Sequence, residues 1–271
     1  MMGLRYLGLM SKKFPNIIVN NDSNGIVRVI LNEPETYNAL SFITIKSLIN
    51  CLKNLDQNKE TKVIIIEGSG KGFCAGHNLK EIKSLKGKAD YQKLFSLCSK
   101  LMIQIVNLKN PVIAKVHGAA FAAGCQLVAT CDLAISSSDS FFATPGVNMG
   151  LFCSTPMVAV SRSIGKKQVM KMLLTGDRVD AEQAKKIGLI NDHYDNSILE
   201  EEVVKLAKLI SSKSNKVVKI GKKAFYKQLE MPLEKAYKYT SKVMTENLMI
   251  LDASEGISAF IEKRKPKWKN K

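Results

Sequence analysis

Backbone amides, more than side chains, are the groups with an evident chemical use in this sequence. Two segments, GKGFCAGHNLKE at 70–81 and VHGAAFAAGCQL at 116–127, each close an apolar run with small residues and then open a helical pattern. In the first, Gly76 precedes His77, whose N–H points outward from a helix start; in the second, Ala123 and Gly124 begin a small-residue helix. Two amide donors at helix N-termini, supplied by different strands, can polarise a carbonyl and hold the negative oxygen of an enolate. That chemistry needs no protein nucleophile. Glycine-rich strand-to-helix turns also serve as ordinary packing devices, so spacing alone leaves both uses open. Neither segment reads GxGxxG with an acid at the expected distance, GxxxxGK[ST] or GxSxG, which argues against dinucleotide, P-loop and serine-hydrolase sites.

The two segments need strands behind them. VIIIEG at 63–68 has the unbroken apolar character of a strand buried on both faces, and 111–117 is a second short apolar strand. Ahead of them, 16–20 and 25–31 are strands parted by the turn NDSNG. Residues 41–55 place Ile45, Leu48, Ile49 and Leu52 on one helical face, with Ser41 as the cap. Helical spacing resumes at 78–85 and 91–106, the latter with Leu94, Leu97, Leu101 and Ile105 inward, and Pro111 stops it. A buried helix at 124–130 feeds a strand at 133–136. This alternation implies a βα architecture with right-handed crossovers. From 161 onward the pattern is helical: 166–174, 181–187, 200–211, 217–229 and 233–251, continuing at 255–263. The expected organisation is a flexible tail at 1–13, an α/β core at 14–200 and a helical region at 201–271.

A chain of 271 residues, 45% hydrophobic and 24% charged, buries a full core without disulfide or metal staples. Its net charge of +17 invites a nucleic-acid reading, yet only five of the 41 basic residues are arginine and no recognition motif accompanies them. A solvated lysine-rich surface, or attraction of an anionic small ligand such as a nucleotide or phosphate ester, fits better. No nucleic-acid partner is expected. Six scattered cysteines without a CxxC pair read as reduced thiols, and no metal is expected. The longest weakly polar run, 116–131, falls short of the roughly 18 to 20 apolar residues that span a bilayer, so no membrane partner is expected. MMGLRYLGLMSKK at the amino end is basic and apolar without an acid, a plain tail or a piece of an organellar targeting helix.

Four blocks carry a family resemblance: LNEPETYNALS at 31–41, VIIIEGSGKGFCAGHNLKE at 63–81, KNPVIAKVHGAAFAAGCQLVATCDLAISSSDSFFATPGVNMGLF at 109–152 and LLTGDRVDAEQAKKIGLIN at 173–191. In order and over nearly the whole chain, they resemble the crotonase superfamily, the enoyl-CoA hydratase/isomerase family. ATPGVNMGLFCSTP at 143–156 resembles one branch of it in particular. The resemblance implies an α/β spiral of repeated ββα units with a C-terminal helical trimerisation region. It implies a homotrimer, often a dimer of trimers, acting on a coenzyme A thioester with no tightly bound cofactor. The oxyanion donors would be the N–H groups of His77 and Ala123. The implied substrate-binding set is Ala75, His77, Asn78, Leu79, Lys80, Phe121, Asn148, Cys153, Phe260 and Lys263, with Lys80, Phe260 and Lys263 on the coenzyme and the acyl channel near 77–85 and 145–155. Localisation would be cytoplasmic in a bacterium and mitochondrial in a eukaryote.

The same resemblance exposes two departures. Hydratases of this family activate water with two glutamates, and at those positions this chain has Gln126 and Gly146. Glutamine exchanges no proton near neutral pH and glycine has no side chain, so the paired-glutamate route lacks both its groups. An acyl-CoA enzyme that protonates through His77, a bound water or a decarboxylating substrate stays open. An isomerase, or a CoA-thioester-binding protein with little catalysis, is the alternative. His77 can also be a satisfied loop histidine, Cys153 a small buried hydrophobe, and Gln126 a packed or orienting polar residue. Asp132 and Asp139 are expected to cap or brace 131–145, and Asp180 to cap the following helix.

Overall fold

The computed structural model describes residues 14–270, so the tail expected at 1–13 lies outside the described residues, as does Lys271. Among the described residues nine strands form two sheets: β1 (Ile17–Asn21), β2 (Ile26–Leu31), β3 (Val63–Gly68), β4 (Val112–Val116), β5 (Ala119–Phe121), β6 (Leu133–Ser137), β7 (Phe141–Ala143), β8 (Val179–Asp180) and β9 (Asp192–Tyr194). The larger sheet has the order β1-β2-β3-β4-β6-β9, and the smaller is β5-β7-β8. Apart from the β1–β2 hairpin, neighbours in the large sheet run parallel. Among the same residues eleven α-helices accompany them: α1 (Phe42–Gln57), α2 (Leu79–Ser84), α3 (Lys88–Asn107), α4 (Ala123–Thr130), α5 (Pro156–Ser163), α6 (Lys166–Thr175), α7 (Ala181–Ile187), α8 (Asn196–Ser211), α9 (Asn215–Leu229), α10 (Leu233–Leu248) and α11 (Leu251–Ile261).

Helices on both faces of the sheet explain why β3 is apolar without alternation. Ile64 and Ile66 join a core with Ile45, Leu48 and Leu52 of α1 and Leu94 and Leu101 of α3. Val63 and Ile65 face the other way, into a second cluster with Leu199, Val203 and Ala207 of α8. The expected boundary at 200/201 therefore falls inside a helix whose inner face belongs to the sheet. At the polar rim of that interface Arg28 and Lys115 share the carboxylates of Glu67 and Glu200. Ser41 caps α1 as expected, its side chain accepting from Thr44 N, and Asp180 caps α7 through Gln183 N.

Several expectations need correction. The single helix expected at 233–251 breaks, because Ile250 is extended (φ −85°, ψ 150°) and separates α10 from α11. No glycine or proline marks the break. It brings the buried carboxylate of Asp252 under Ser214 and under the backbone N–H groups of Lys269 and Asn270, which lie far away in sequence. Helix α8 starts at Asn196 rather than 200, since Asp195 caps it through Ser197 N. The short strands β5, β7, β8 and β9 have too few residues to leave a periodic pattern, and the eight-residue helix α5 is an addition to the expected elements.

Candidate functional site

The two amide segments leave the carboxyl ends of neighbouring parallel strands, β3 and β4, whose register aligns Glu67 with Lys115. The first segment is stitched on both sides. Leu40 N donates to Gly76 O (2.7 Å) and Ala75 N to Tyr37 O, while Cys74 N donates to Ala119 O and Phe121 N to Cys74 O (2.9 Å). Asn38, 1% exposed, holds the turn before it: its Nδ2 donates to Ser69 O and Gly72 O, and its Oδ1 accepts from Glu33 N. Ala122 N in turn donates to Ala143 O of the small sheet.

Two glycines allow these backbones to touch. Gly76 has φ +93°, and a Cβ on it would lie 3.2 Å from Ala123 N and 2.9 Å from Phe121 O. A Cβ on Gly124 would lie 2.1 Å from Cys74 O. Between them, Ala122 is held at φ 49° and ψ −114°, a conformation that costs an L-residue about 1–3 kcal/mol. The strained residue is the N-cap of α4, so the strain is spent on where the first amide of that helix points. Among the described residues no acceptor takes the N–H of His77 or of Ala123. Asn78 occupies the N-cap of α2, accepting from Lys80 N and Glu81 N.

The His77 side chain is fixed in one tautomer. Its Nδ1–H donates to Leu40 O at 3.2 Å, its ring stands edge-on to Phe95 at 5.5 Å, and its Nε2 is buried with no partner. Burial lowers its pKa below the usual histidine value, with the Leu40 hydrogen bond opposing in part. Gln126, one turn into α4, is 3% exposed, and its Oε1 also lacks a partner. Gly146 is buried under the segment that follows it: a Cβ there would meet Cys153 Sγ and Leu151 O, each at 2.9 Å. Burial pushes the Cys153 thiol up, opposed by the Gly146 N–H that it accepts. Cys74 and Cys125, one in each of the two amide segments, are fully buried and pushed up to about 12. These thiols are protonated packing groups at neutral pH.

The remaining expected residues separate into two groups. Ala75 and Phe121 lie in the stitched segments, and Asn148 rests against Gly176, whose Cβ position is 2.8 Å from Asn148 Nδ2. Leu79 (53% exposed) and Lys80 project from α2. Phe260 (86% exposed) and Lys263 lie at the end of α11, which packs on α10, and no hydrogen bond, ion pair or ring contact ties either to the donor segments. Among the described residues no group of three or more His, Cys, Asp or Glu side chains is placed to hold a metal ion. No helix there is long and apolar enough to cross a membrane.

Some features of the site left no readable signal in sequence. Arg178 stacks over both Phe121 (5.5 Å) and Phe141 (5.7 Å), tying β8 to the donor segment. Asp132 reaches outward instead of bracing 131–145. It accepts from Val112 N, Lys222 Nζ (2.6 Å) and Tyr226 OH (2.9 Å), and so clamps α9 to the start of β4. Next to this clamp a groove of about 1110 Å³ runs between α3, α4, α5 and α9, with Met102, Val106, Val158 and Phe225 on its walls. Of the expected site residues only Gln126 lines it.

Comparison with known proteins follows the same lines. The family model described as Enoyl-CoA hydratase/isomerase matches residues 21–271. A mouse (Mus musculus) protein named Enoyl-CoA hydratase domain-containing protein 3, mitochondrial, is 44% identical over 258 residues, 95% of this chain and 86% of its own length. The human (Homo sapiens) protein of that name is 46% identical over 245 residues, 90% of this chain and 81% of its own. The crystal structure of an enoyl-CoA hydratase from Mycobacterium smegmatis superposes with a TM-score of 0.92 at 43% identity, covering 94% of this chain and 99% of that one. The crystal structure of the human domain-containing protein 3 gives 0.91 at 44% identity, covering 93% and 100%.

Proposed function

The chain belongs to the enoyl-CoA hydratase/isomerase family of the crotonase superfamily and has its fold, and from that premise we propose that it binds an acyl-CoA thioester and stabilises the thioester enolate with the N–H groups of His77 and Ala123. The observation that carries this reading is the backbone contact of the two segments, with Gly76 against the Ala123 amide and neither donor spent on a protein acceptor. In a water-excluded site one such donor contributes roughly 100- to 1000-fold to rate.

Gln126 and Gly146 offer no carboxylate pair to activate water. Decarboxylation of a malonyl-type thioester avoids that need. The electrons of the breaking carbon–carboxylate bond pass into the enolate, carbon dioxide leaves, and a proton from water then completes the product, since burial keeps His77 neutral at neutral pH. Lys80 on α2 is the coenzyme contact within the subunit. Phe260 and Lys263 would serve a neighbouring subunit of a trimer, or of a dimer of trimers. The exposed apolar residues Tyr237, Met244 and Leu248 of α10 and Met249 just after it fit such an interface. The relatives' names place those proteins in mitochondria, and a eukaryotic source would place this one there too.

The test is incubation with malonyl-CoA, methylmalonyl-CoA and crotonyl-CoA, followed by mass spectrometry of the thioesters. Carbon dioxide loss without hydration of crotonyl-CoA is expected. Hydration of crotonyl-CoA with no product from either malonyl-type substrate refutes the reading. The crowding at Gly146 favours a second reading, a CoA-thioester-binding protein with little turnover. Tight acyl-CoA binding with all three substrates recovered intact would support it.

A further inference from the structure

Far from the thioester site, a hollow of about 380 Å³ opens where α8 ends and the C-terminal segment crosses back over it. Lys62, Lys208 and Lys213 line it together with Ser211, Ser212 and Trp268, and none of the lining residues is acidic. Lys62 comes from the approach to β3, Lys208 and Lys213 from the end of α8, and Trp268 from beyond α11, so three separate parts of the chain converge on one cavity. Two of the lining groups already have acceptors. Trp268 Nε1 donates to Ser212 O (2.8 Å), and Lys62 Nζ donates to Ser211 O at 3.4 Å. Among the described residues the ammonium groups of Lys208 and Lys213 have no acidic partner. Lysines at a helix C-terminus complement its dipole, but that account brings in neither Lys62 nor the indole.

We propose that this hollow is a second ligand site that takes a nucleotide-type anion, its phosphates on Lys62, Lys208 and Lys213 and its flat ring against Trp268. Converging cations in a concave surface concentrate and hold phosphate oxygens, and the volume suits a small ligand. The indole is seated for a wall: its edge carbons lie 3.2 and 3.3 Å from the Cβ position of Gly256, which leaves no room for it to turn in that direction. Aromatic faces accept stacked rings. The site is distinct from the thioester site by position. β2 and β3 begin side by side at Ile26 and Val63, next to the hollow, whereas the donor segment leaves β3 after Gly68 at the other end. Six strand residues at about 3.3 Å each put roughly 20 Å between them. A ligand there acts on the protein without touching the thioester, which is the arrangement of a regulatory site.

Trp268 is the only tryptophan in the chain, so its fluorescence reports this cavity alone. The full-length protein would be titrated with ATP at low ionic strength, and separately with inorganic tripolyphosphate. The same titrations would be run on K208E/K213E, on the milder K208Q/K213Q and on K80E/K263E, with a thermal melt of each free protein. A saturable fluorescence change with ATP is expected, about tenfold or more weaker in K208E/K213E and intermediate in K208Q/K213Q. K80E/K263E should bind ATP as the wild type does, and tripolyphosphate should bind more weakly than ATP. No saturable change with millimolar ATP overturns the proposal, as does unaltered affinity in both Lys208/Lys213 variants. Affinity lost only in K80E/K263E would put the nucleotide in the thioester site and also overturn it. Equal affinity for tripolyphosphate would overturn the part assigned to the indole.

Discussion

Gly124→Ala tests whether the two amides are positioned by backbone contact. The added Cβ would lie 2.1 Å from Cys74 O and 2.8 Å from Cys74 C. A close carbon-to-oxygen approach between non-bonded atoms is about 3.3 Å, so the Cys74–His77 segment or the start of α4 must withdraw by about 1 Å. Such overpacking costs about 1–3 kcal/mol, less the ~0.5–1 kcal/mol that alanine gains over glycine in a helix. The net loss lowers Tm by several degrees, at roughly 2–4 °C per kcal/mol for a domain of this size. The functional effect is larger than the stability effect, because a displacement near 1 Å between positioned groups costs on the order of 100-fold. Acetoacetyl-CoA gives a direct readout, since its enolate absorbs in the near ultraviolet and forms only when the bound oxyanion is stabilised. Wild-type protein should raise that absorbance at neutral pH, and Gly124→Ala should bind the enolate about 100-fold more weakly. A Gly124→Ala protein with wild-type Tm and wild-type enolate signal would refute the argument that this contact sets the donors.

Gly221, inside α9, has no atom within 4 Å of its Cβ position, so Gly221→Ala should stabilise by about 0.5–1 kcal/mol in urea unfolding; destabilisation would show a neighbour that the fold does not place there. Lys222→Ala leaves the Asp132 carboxylate facing Tyr226 and Val112 N without its cation, and should cost about 3–5 kcal/mol by the same assay, against little change for the exposed Lys223→Ala. Burial holds the folded pKa of His77 below its usual 6.5. The unfolded chain therefore binds the proton first, and this group's contribution to stability is complete above pH 6.5 and is lost as pH falls toward the folded pKa. Urea unfolding from pH 7 to pH 5 should show a steeper loss for the wild type than for His77→Gln, and equal slopes would remove His77 from that account.

Much of the framework around the candidate site could be read in advance because it is local. The strand VIIIEG, the Ser41 cap and the small-residue turns at Gly76 and Gly124 each declare themselves within a few residues, and each is where it was expected. What escaped depends on distant partners. Nothing near Asp132 announces Lys222 and Tyr226, about ninety residues on, and nothing near Phe121 announces Arg178. The break between α10 and α11 follows from the burial of Asp252 against the end of the chain, not from a helix-breaking residue. The strands of the small sheet, two and three residues long, are set by pairing rather than by any preference of their own sequence.

The two positions at which the family resemblance implies glutamates, 126 and 146, are not equivalent. Gln126 keeps the size of a glutamate in a buried setting with its Oε1 unpartnered, so a carboxylate could stand there with little change in shape. Gly146 is different, since any side chain there runs into Cys153 Sγ and Leu151 O. Leu151 N donates to Gly146 O, and Gly150 at φ +72° turns the chain back, so residues 146–153 form a closed unit built over a position without a Cβ. Restoring a glutamate at 146 would require that unit to open, whereas restoring one at 126 would not. One acid is therefore within reach of a single substitution and the pair is not. Water activation by two carboxylates is closed off by the packing of a whole segment, while the two amides proposed to stabilise an enolate are held in place next to the strained Ala122. A site that retains the costly part of its geometry and fills in the acid position fits chemistry in which the substrate itself supplies the electrons of the enolate.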